Sequence, residues 1–330
     1  MLDAGRIQMK QLFQRIVVAI DGSPAASQAA ALGIRLAKPF AAEVVFVHAI
    51  DYATAANEYG GGVLDAMTEH GEQILREAKE KAVRGEVAAR GSILEGRAEY
   101  AVVRYAGEIR ADAIVVGTRG AVADRYFVGS TAEGILRLAV VPVFVAHEAP
   151  ISAESKFEKI VVAIDNSDPS DAAIKFATEL ASSEVSRLSF CHVVDDDTLY
   201  EEAADYGGAT YPVLHEWLDE AAILSACAAQ QAEGIGVRSV ETCVLTGNPT
   251  NEVLNFAADE HADLIVVGAH GRRGLRHLVL GGVAHGLVRR STIPVAVVRT
   301  RVTAPVKFAK KNGAVAPHVD THGYVTLRSN

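Results

Sequence analysis

Arg15-Ile-Val-Val-Ala-Ile-Asp21 decides the fold, because it returns as Lys159-Ile-Val-Val-Ala-Ile-Asp165 with six of seven residues identical at an offset of 144. His48 and His192 keep the same offset. Further along, Ala111-Asp-Ala-Ile-Val-Val-Gly117 returns as Ala262-Asp-Leu-Ile-Val-Val-Gly268, now 151 residues on, and Gly129 and Pro142 match Gly281 and Pro294 at 152. Self-similarity on this scale means one folding unit written twice. The growing offset places seven extra residues in the second copy after His192, and one fewer in the first copy between Gly120 and Gly129.

Each copy reads as short apolar runs separated by longer amphipathic stretches. The runs are Ile16–Ile20, Val44–Ala49, Ile114–Val116 and Val143–Val145, answered by Ile160–Ile164, Leu188–Val194, Leu264–Val267 and Val295–Val298. Runs of this length, bounded by Gly, Pro and Asp, are strands buried on both faces. Weaker third strands fall near Val87–Leu94 and Val237–Leu245. Between them lie helices over Met67–Val83, Ala98–Ile109, Val213–Ala232 and Thr250–Glu260. Ser23-Pro24 supplies an N-cap and a first-turn proline, with Ser170 or Asp168 expected to cap the corresponding helix of the second copy. Right-handed crossovers then make the chain α/β, with two tandem doubly wound five-stranded parallel-sheet domains of Rossmann-like type. The expected layout is an extension over 1–13, domains over 14–147 and 157–300, a linker over 148–156, and a strandless tail over 301–330.

Composition narrows the function. Apolar residues make up 49% of the 330, enough for a core in each domain. The net charge of −9 works against a grip on nucleic acid, which relies on cationic side chains releasing counterions from phosphates. Cys191, Cys227 and Cys243 match neither a metal-ligand spacing nor a disulfide framework. No stretch reaches about 18 consecutive apolar residues, and Met1–Gln14 holds no signal-peptide core. Together these point to the cytoplasm, with no membrane partner.

In open α/β sheets ligands bind beyond the carboxyl ends of the strands, where the strand order reverses. There the second copy reads Gly268-Ala-His-Gly271-Arg272-Arg273-Gly274, and after Leu275–Leu280 it continues Gly281-Gly282-Val283. The first copy reads Gly117-Thr-Arg-Gly120 and then Gly129-Ser130-Thr131. Glycines after a buried strand and at the start of a helix allow a phosphate to approach the backbone, where free N–H groups and the positive end of the helix dipole meet it. Arg272 adds a candidate charge-assisted phosphate contact, with Arg273 and Arg119 as weaker ones; an exposed basic group is the plain alternative.

The spacing Gly268–Gly271–Gly281 resembles the nucleotide motif of the universal stress protein family: Gly, two residues, Gly, nine residues, Gly, then Ser or Thr. Gly282 departs from it by lacking the hydroxyl, whereas the first copy keeps Ser130 but has only eight residues before Gly129. The resemblance covers nearly all of 14–146 and 157–300. It implies an adenine nucleotide alpha hydrolase-like fold and ATP or AMP as ligand, with Mg2+ as an optional companion. It also implies roles at matching positions: Asp21 and Asp165 beside adenine and ribose, with Ala49, Val193, Val116 and Val267 walling the base. Asp21 and Asp165 have an ordinary reading too, as turn residues at a strand-to-helix junction. Family domains pair through their last strands, which implies intrachain pairing of Val143–Val145 with Val295–Val298 and, beyond it, a homodimer.

No catalytic residues are expected. The cysteines have no base set beside them, and the first-strand loops, Asp21-Gly-Ser-Pro-Ala and Asp165-Asn-Ser-Asp-Pro, lack the Ser-Gly-Gly-x-Asp-Ser loop of the related ATP pyrophosphatases. His48 and His192, inside apolar strands, read as hydrogen-bonded core residues. The acidic stretch Asp195–Asp197 with Glu201 and Glu202 reads as a solvated loop rather than a metal site. The expected function is therefore nucleotide binding that modulates a stress response through oligomerisation or partner choice, with an interaction protein whose clefts have decayed as the alternative.

Overall fold

A computed structural model describes residues 12–52, 62–118, 128–147, 150–153, 156–195, 210–271, 280–300, 318–319 and 325–327. In the first copy the order is β1 (Arg15–Ala19), α1 (Pro24–Ala37), β2 (Glu43–Ile50), α2 (Gly62–Arg84), β3 (Ala89–Glu95), α3 (Ala98–Glu108), β4 (Ala113–Gly117), α4 (Ser130–Leu138) and β5 (Val143–Ala146). The second repeats it as β6 (Lys159–Ile164), α5 (Asp168–Glu184), β7 (Arg187–Val194), α6 (Thr210–Gly234), β8 (Ser239–Thr246), α7 (Pro249–Asp259), β9 (Leu264–Gly268), α8 (Gly282–Arg290) and β10 (Val295–Val298).

Within each copy the strands are parallel and run 3-2-1-4-5 across the sheet, so the order reverses between β1 and β4 and again between β6 and β9. Both faces are covered, as continuous apolar runs require. Ile16 and Val18 pack into one apolar layer and Val17, between them, into the other. Ser23 caps α1, accepting from the Ala26 N–H at 3.1 Å. In α5 the cap is Ser167, neither Ser170 nor Asp168. Asp168 is already helical, and Ser170 Oγ is engaged in accepting from the Asp165 N–H.

The two sheets are one. β5 and β10 run antiparallel with Val143 opposite Val297 and Val145 opposite Val295. Side chains of both copies share each apolar layer; Phe144 and Phe13 of the first meet Phe176 of α5 at ring separations of 5.9 and 6.1 Å. Reciprocal caps flank the seam: His147 Nε2–H donates to the Val288 carbonyl at the end of α8, and Arg299 donates to Leu136 at the end of α4. Arg35 of α1 is buried, pairs with Asp263 at 3.4 Å and stacks over the Phe157 ring at 3.8 Å.

The tail differs from the strandless expectation. β11 (His318–Val319) and β12 (Val325–Leu327) form an antiparallel pair, and β12 adds antiparallel to β8, extending the sheet to twelve strands. An edge strand presents unpaired N–H and C=O groups that any nearby extended segment can take up, whatever its own apolar pattern.

Candidate functional site

A cleft opens beyond the carboxyl ends of the strands in each copy, at the reversal point. In both, the first strand hands over to its helix through a tight turn whose second residue is left-handed, Gly22 at φ 79° and Asn166 at φ 44°. Asn is one of the few side-chain-bearing residues that take this conformation readily. The turn aims the preceding carboxylate into the cleft. Asp21 Oδ1 accepts from the Ser23 N–H at 3.0 Å, and Asp165 Oδ1 accepts from Ser167 Oγ–H at 2.5 Å. Asp171, one turn into α5, has its carboxyl held above the usual range by burial first, then by Asp168 and Asp165.

The motif glycines do different jobs. A Cβ at Gly117 would fall 2.7 Å from the backbone carbon of Ala25, and one at Gly268 would fall 2.7 Å from that of Pro169. These two positions lack a side chain because the first helix of each copy crosses directly over them. Gly271 lies against the carboxylate, its Cβ position 2.5 Å from Asp165 Oδ2. Gly281 is held beside the loop base, 3.2 Å from His270 Cα, while a Cβ at Gly282 meets nothing within 4 Å. Each loop is pinned at its root, where Gly129 N–H donates to Thr118 O at 2.7 Å and Gly281 N–H to Ala269 O at 2.8 Å.

Both last helices start on a glycine N-cap, which offers no side-chain oxygen to the first turn. Their first intrahelical bonds run from Glu133 to Gly129 O and from His285 to Gly281 O. The N–H groups just before those are open to a ligand. They belong to Ser130, Thr131 and Ala132 in one cleft and Gly282, Val283 and Ala284 in the other, all of which line the space. A phosphate therefore fits this cradle: N–H donors at a nine-residue helix, and a floor that glycine keeps low.

Asp21, Ala49, Val116, Gly117, Gly129, Ser130 and Thr131 come together around the first cleft, of about 350 Å³. Asp165, Val193, Val267, Gly268, Gly271, Gly281, Gly282 and Val283 come together around the second, of about 630 Å³. Gly120 and Arg272 lie outside the described residues, as do Arg119, Arg273, Gly274, Asp196, Asp197, Glu201 and Glu202. His48 Nδ1–H donates to the Ile20 carbonyl, the core role expected for it, yet its ring also lines the first cleft, as His192 lines the second. Sequence reasoning missed a whole wall of the second cleft, Trp217, Glu220, Ala221 and Leu224 from α6. Their spacing i, i+3, i+4, i+7 is that of one helix face, which an ordinary core stripe shares. Cys191 also lines the cleft, but burial pushes its thiol well above the ordinary value, away from thiolate chemistry.

An open parallel sheet with a glycine-framed cleft at its reversal point defines a doubly wound α/β domain, the class in which ligands bind beyond the carboxyl ends of the strands. The chain belongs to the universal stress protein family, whose model matches residues 12–147 and again 156–299. It is similar to the universal stress protein YxiE of Bacillus subtilis, 35% identical over 150 residues, which are 43% of this chain and 99% of that protein. A universal stress protein of Mycolicibacterium smegmatis is similar over both halves, 28% identical across 297 residues, covering 87% of this chain and 97% of that one. The crystal structure of a universal stress protein from Archaeoglobus fulgidus shares the fold, with a TM-score of 0.65, 20% identity and coverage of 86% of this chain and 98% of that one. Among the described residues no helix is long and apolar enough to cross a membrane.

Proposed function

We propose that the chain binds an adenine nucleotide, ATP or AMP, in the second cleft, and that occupancy alters its oligomeric state or its choice of protein partner in the cytoplasm. The observation that carries this reading is the convergence on one cleft of Asp165, Gly271 and the first turn of α8, whose glycine N-cap supplies no side-chain acceptor. A carboxylate facing the sugar end and N–H donors at the phosphate end suit a nucleotide, and Mg2+ would accompany the triphosphate form. Binding rather than turnover is the activity, with hydrolysis at most slow. The first cleft is a second, weaker site. Its Ser130 adds a hydroxyl donor, but its loop is one residue shorter and its volume is about 350 Å³.

Equilibrium binding of labelled ATP to wild type and to Gly271→Val tests the reading. The valine carries its Cβ into the space held by Asp165 Oδ2, 2.5 Å away. Affinity at the second cleft is expected to fall at least tenfold, a loss of about 1.4 kcal/mol. Equal affinity in the two proteins sinks the proposal and leaves the chain as an interaction protein with decayed clefts.

A further inference from the structure

Among the described residues the second cleft is lined by one helix more than the first, α6. Its phosphate end is at β9 and α8, and its far end reaches β7 and the overlying face of α6. β7 and β9 flank β6 on either side, so the two ends are two strand spacings, about 10 Å, apart. A nucleotide with its phosphates on the α8 N–H groups therefore carries its base across β6 to β7. There it meets Trp217, half-buried on α6 and packed against the small apolar cluster of Val194, Ala221 and Val244, with Leu224 further along the same helix face. Asn166 Nδ2–H donates to Glu220 Oε1 at 3.3 Å, bridging the β6 turn to α6 at the cleft mouth.

The first cleft has no such wall among the described residues. Leu64, Ala78 and Ala82 of α2 align with Leu214, Ala228 and Ala232 of α6 at an offset of 150, which sets Met67 opposite Trp217 and Gly71 opposite Ala221. At Gly71 the helix lies so close to β2 that a Cβ would fall 2.7 Å from His48 Cδ2. Ala221, buried at the matching position, carries the methyl group that Gly71 lacks. Among the described residues α2 contributes nothing to the first cleft.

We infer that Trp217 is the base-reading residue of the second cleft, stacking on the ring of the bound nucleotide. The second cleft then discriminates nucleotides from base-free polyphosphates more strongly than the first, which offers a base only apolar strand residues such as Ala49 and Val116. This rests on the nucleotide reading above. An indole face against a base contributes through stacking, which is large and tolerant of base identity.

Trp217 is the chain's single tryptophan, so its emission reports the second cleft alone. ATP is expected to change that emission saturably, and inorganic tripolyphosphate to leave it nearly unchanged. By equilibrium dialysis, Trp217→Ala should weaken ATP binding about tenfold without altering competition by tripolyphosphate, and Trp217→Phe should stay close to wild type. Equal losses for ATP and tripolyphosphate would mean that Trp217 only packs α6, and would overturn the assignment. So would unaltered ATP affinity in Trp217→Ala. If that variant does not fold, bound ATP by dialysis with no change in wild-type emission overturns it instead. No ATP bound by dialysis at all removes the nucleotide reading itself, and this one with it.

Discussion

The two clefts share a floor and differ in their walls. Both are floored by a glycine that lets the first helix cross at backbone distance, both are pinned by a hydrogen bond at the loop root, and both end on a glycine-capped helix. They diverge where the sequence is free to vary without undoing the fold. At the helix start the pair is Ser130 and Gly282; on the second helix it is Gly71 and Ala221, Met67 and Trp217. The floor is the same in both copies, and the differences fall on the helix start and the second helix.

The floor gives the largest expected effect. Gly117→Ala and Gly268→Ala each drive a methyl against helix backbone at 2.7 Å, and each should cost about 2–3 kcal/mol of stability, read as a lowered urea midpoint. Loss at one position and tolerance at the other would break the claim that the floors are equivalent.

A smaller effect separates the walls. Gly71→Ala brings a Cβ to 2.7 Å from the end of the His48 ring. That ring can shift, so the cost should be about 1–2 kcal/mol, seen as a lowered Tm. The reverse change, Ala221→Gly, meets no obstacle but removes a buried methyl, so it should cost the helix propensity of glycine together with that lost burial, about 1.5 kcal/mol. Similar costs of 2 kcal/mol or more for both would show that the helix-to-strand distance is set elsewhere.

Smallest of all is the hydroxyl. With nothing within 4 Å of a Cβ at Gly282, Gly282→Ser should leave stability unchanged and add one hydrogen bond to a phosphate. ATP affinity at the second cleft would then rise by a factor of about 2–5, within the usual net worth of such a bond. Isothermal titration resolves this, and weaker binding would mean that the bare helix start is the better fit.

Much of the architecture was legible because it rests on repetition and apolar runs. The repeated apolar runs and strand-end glycines mark eight strands and the reversal points, and weaker runs near Val87–Leu94 and Val237–Leu245 mark the third strand of each copy. Two things were not legible, for different reasons. β12 pairs through backbone groups, which leave no trace in side-chain periodicity. The α6 wall is written as a helical stripe, and whether such a stripe faces a core or a cavity depends on what the fold places opposite it. Gly268 shows a further limit. Its spacing resembles a phosphate motif, while the steric reason for glycine there is Pro169, a hundred residues earlier.

The antiparallel seam of β5 and β10 carries a consequence for inheritance. When two identical chains meet across a two-fold axis, every mutation appears on both sides at once, so their sites are bound to change together. Here the two sides of the seam are encoded separately. A tryptophan can arise in one half while the other keeps its methionine, and a single gene can hold two clefts of unlike lining in fixed one-to-one proportion.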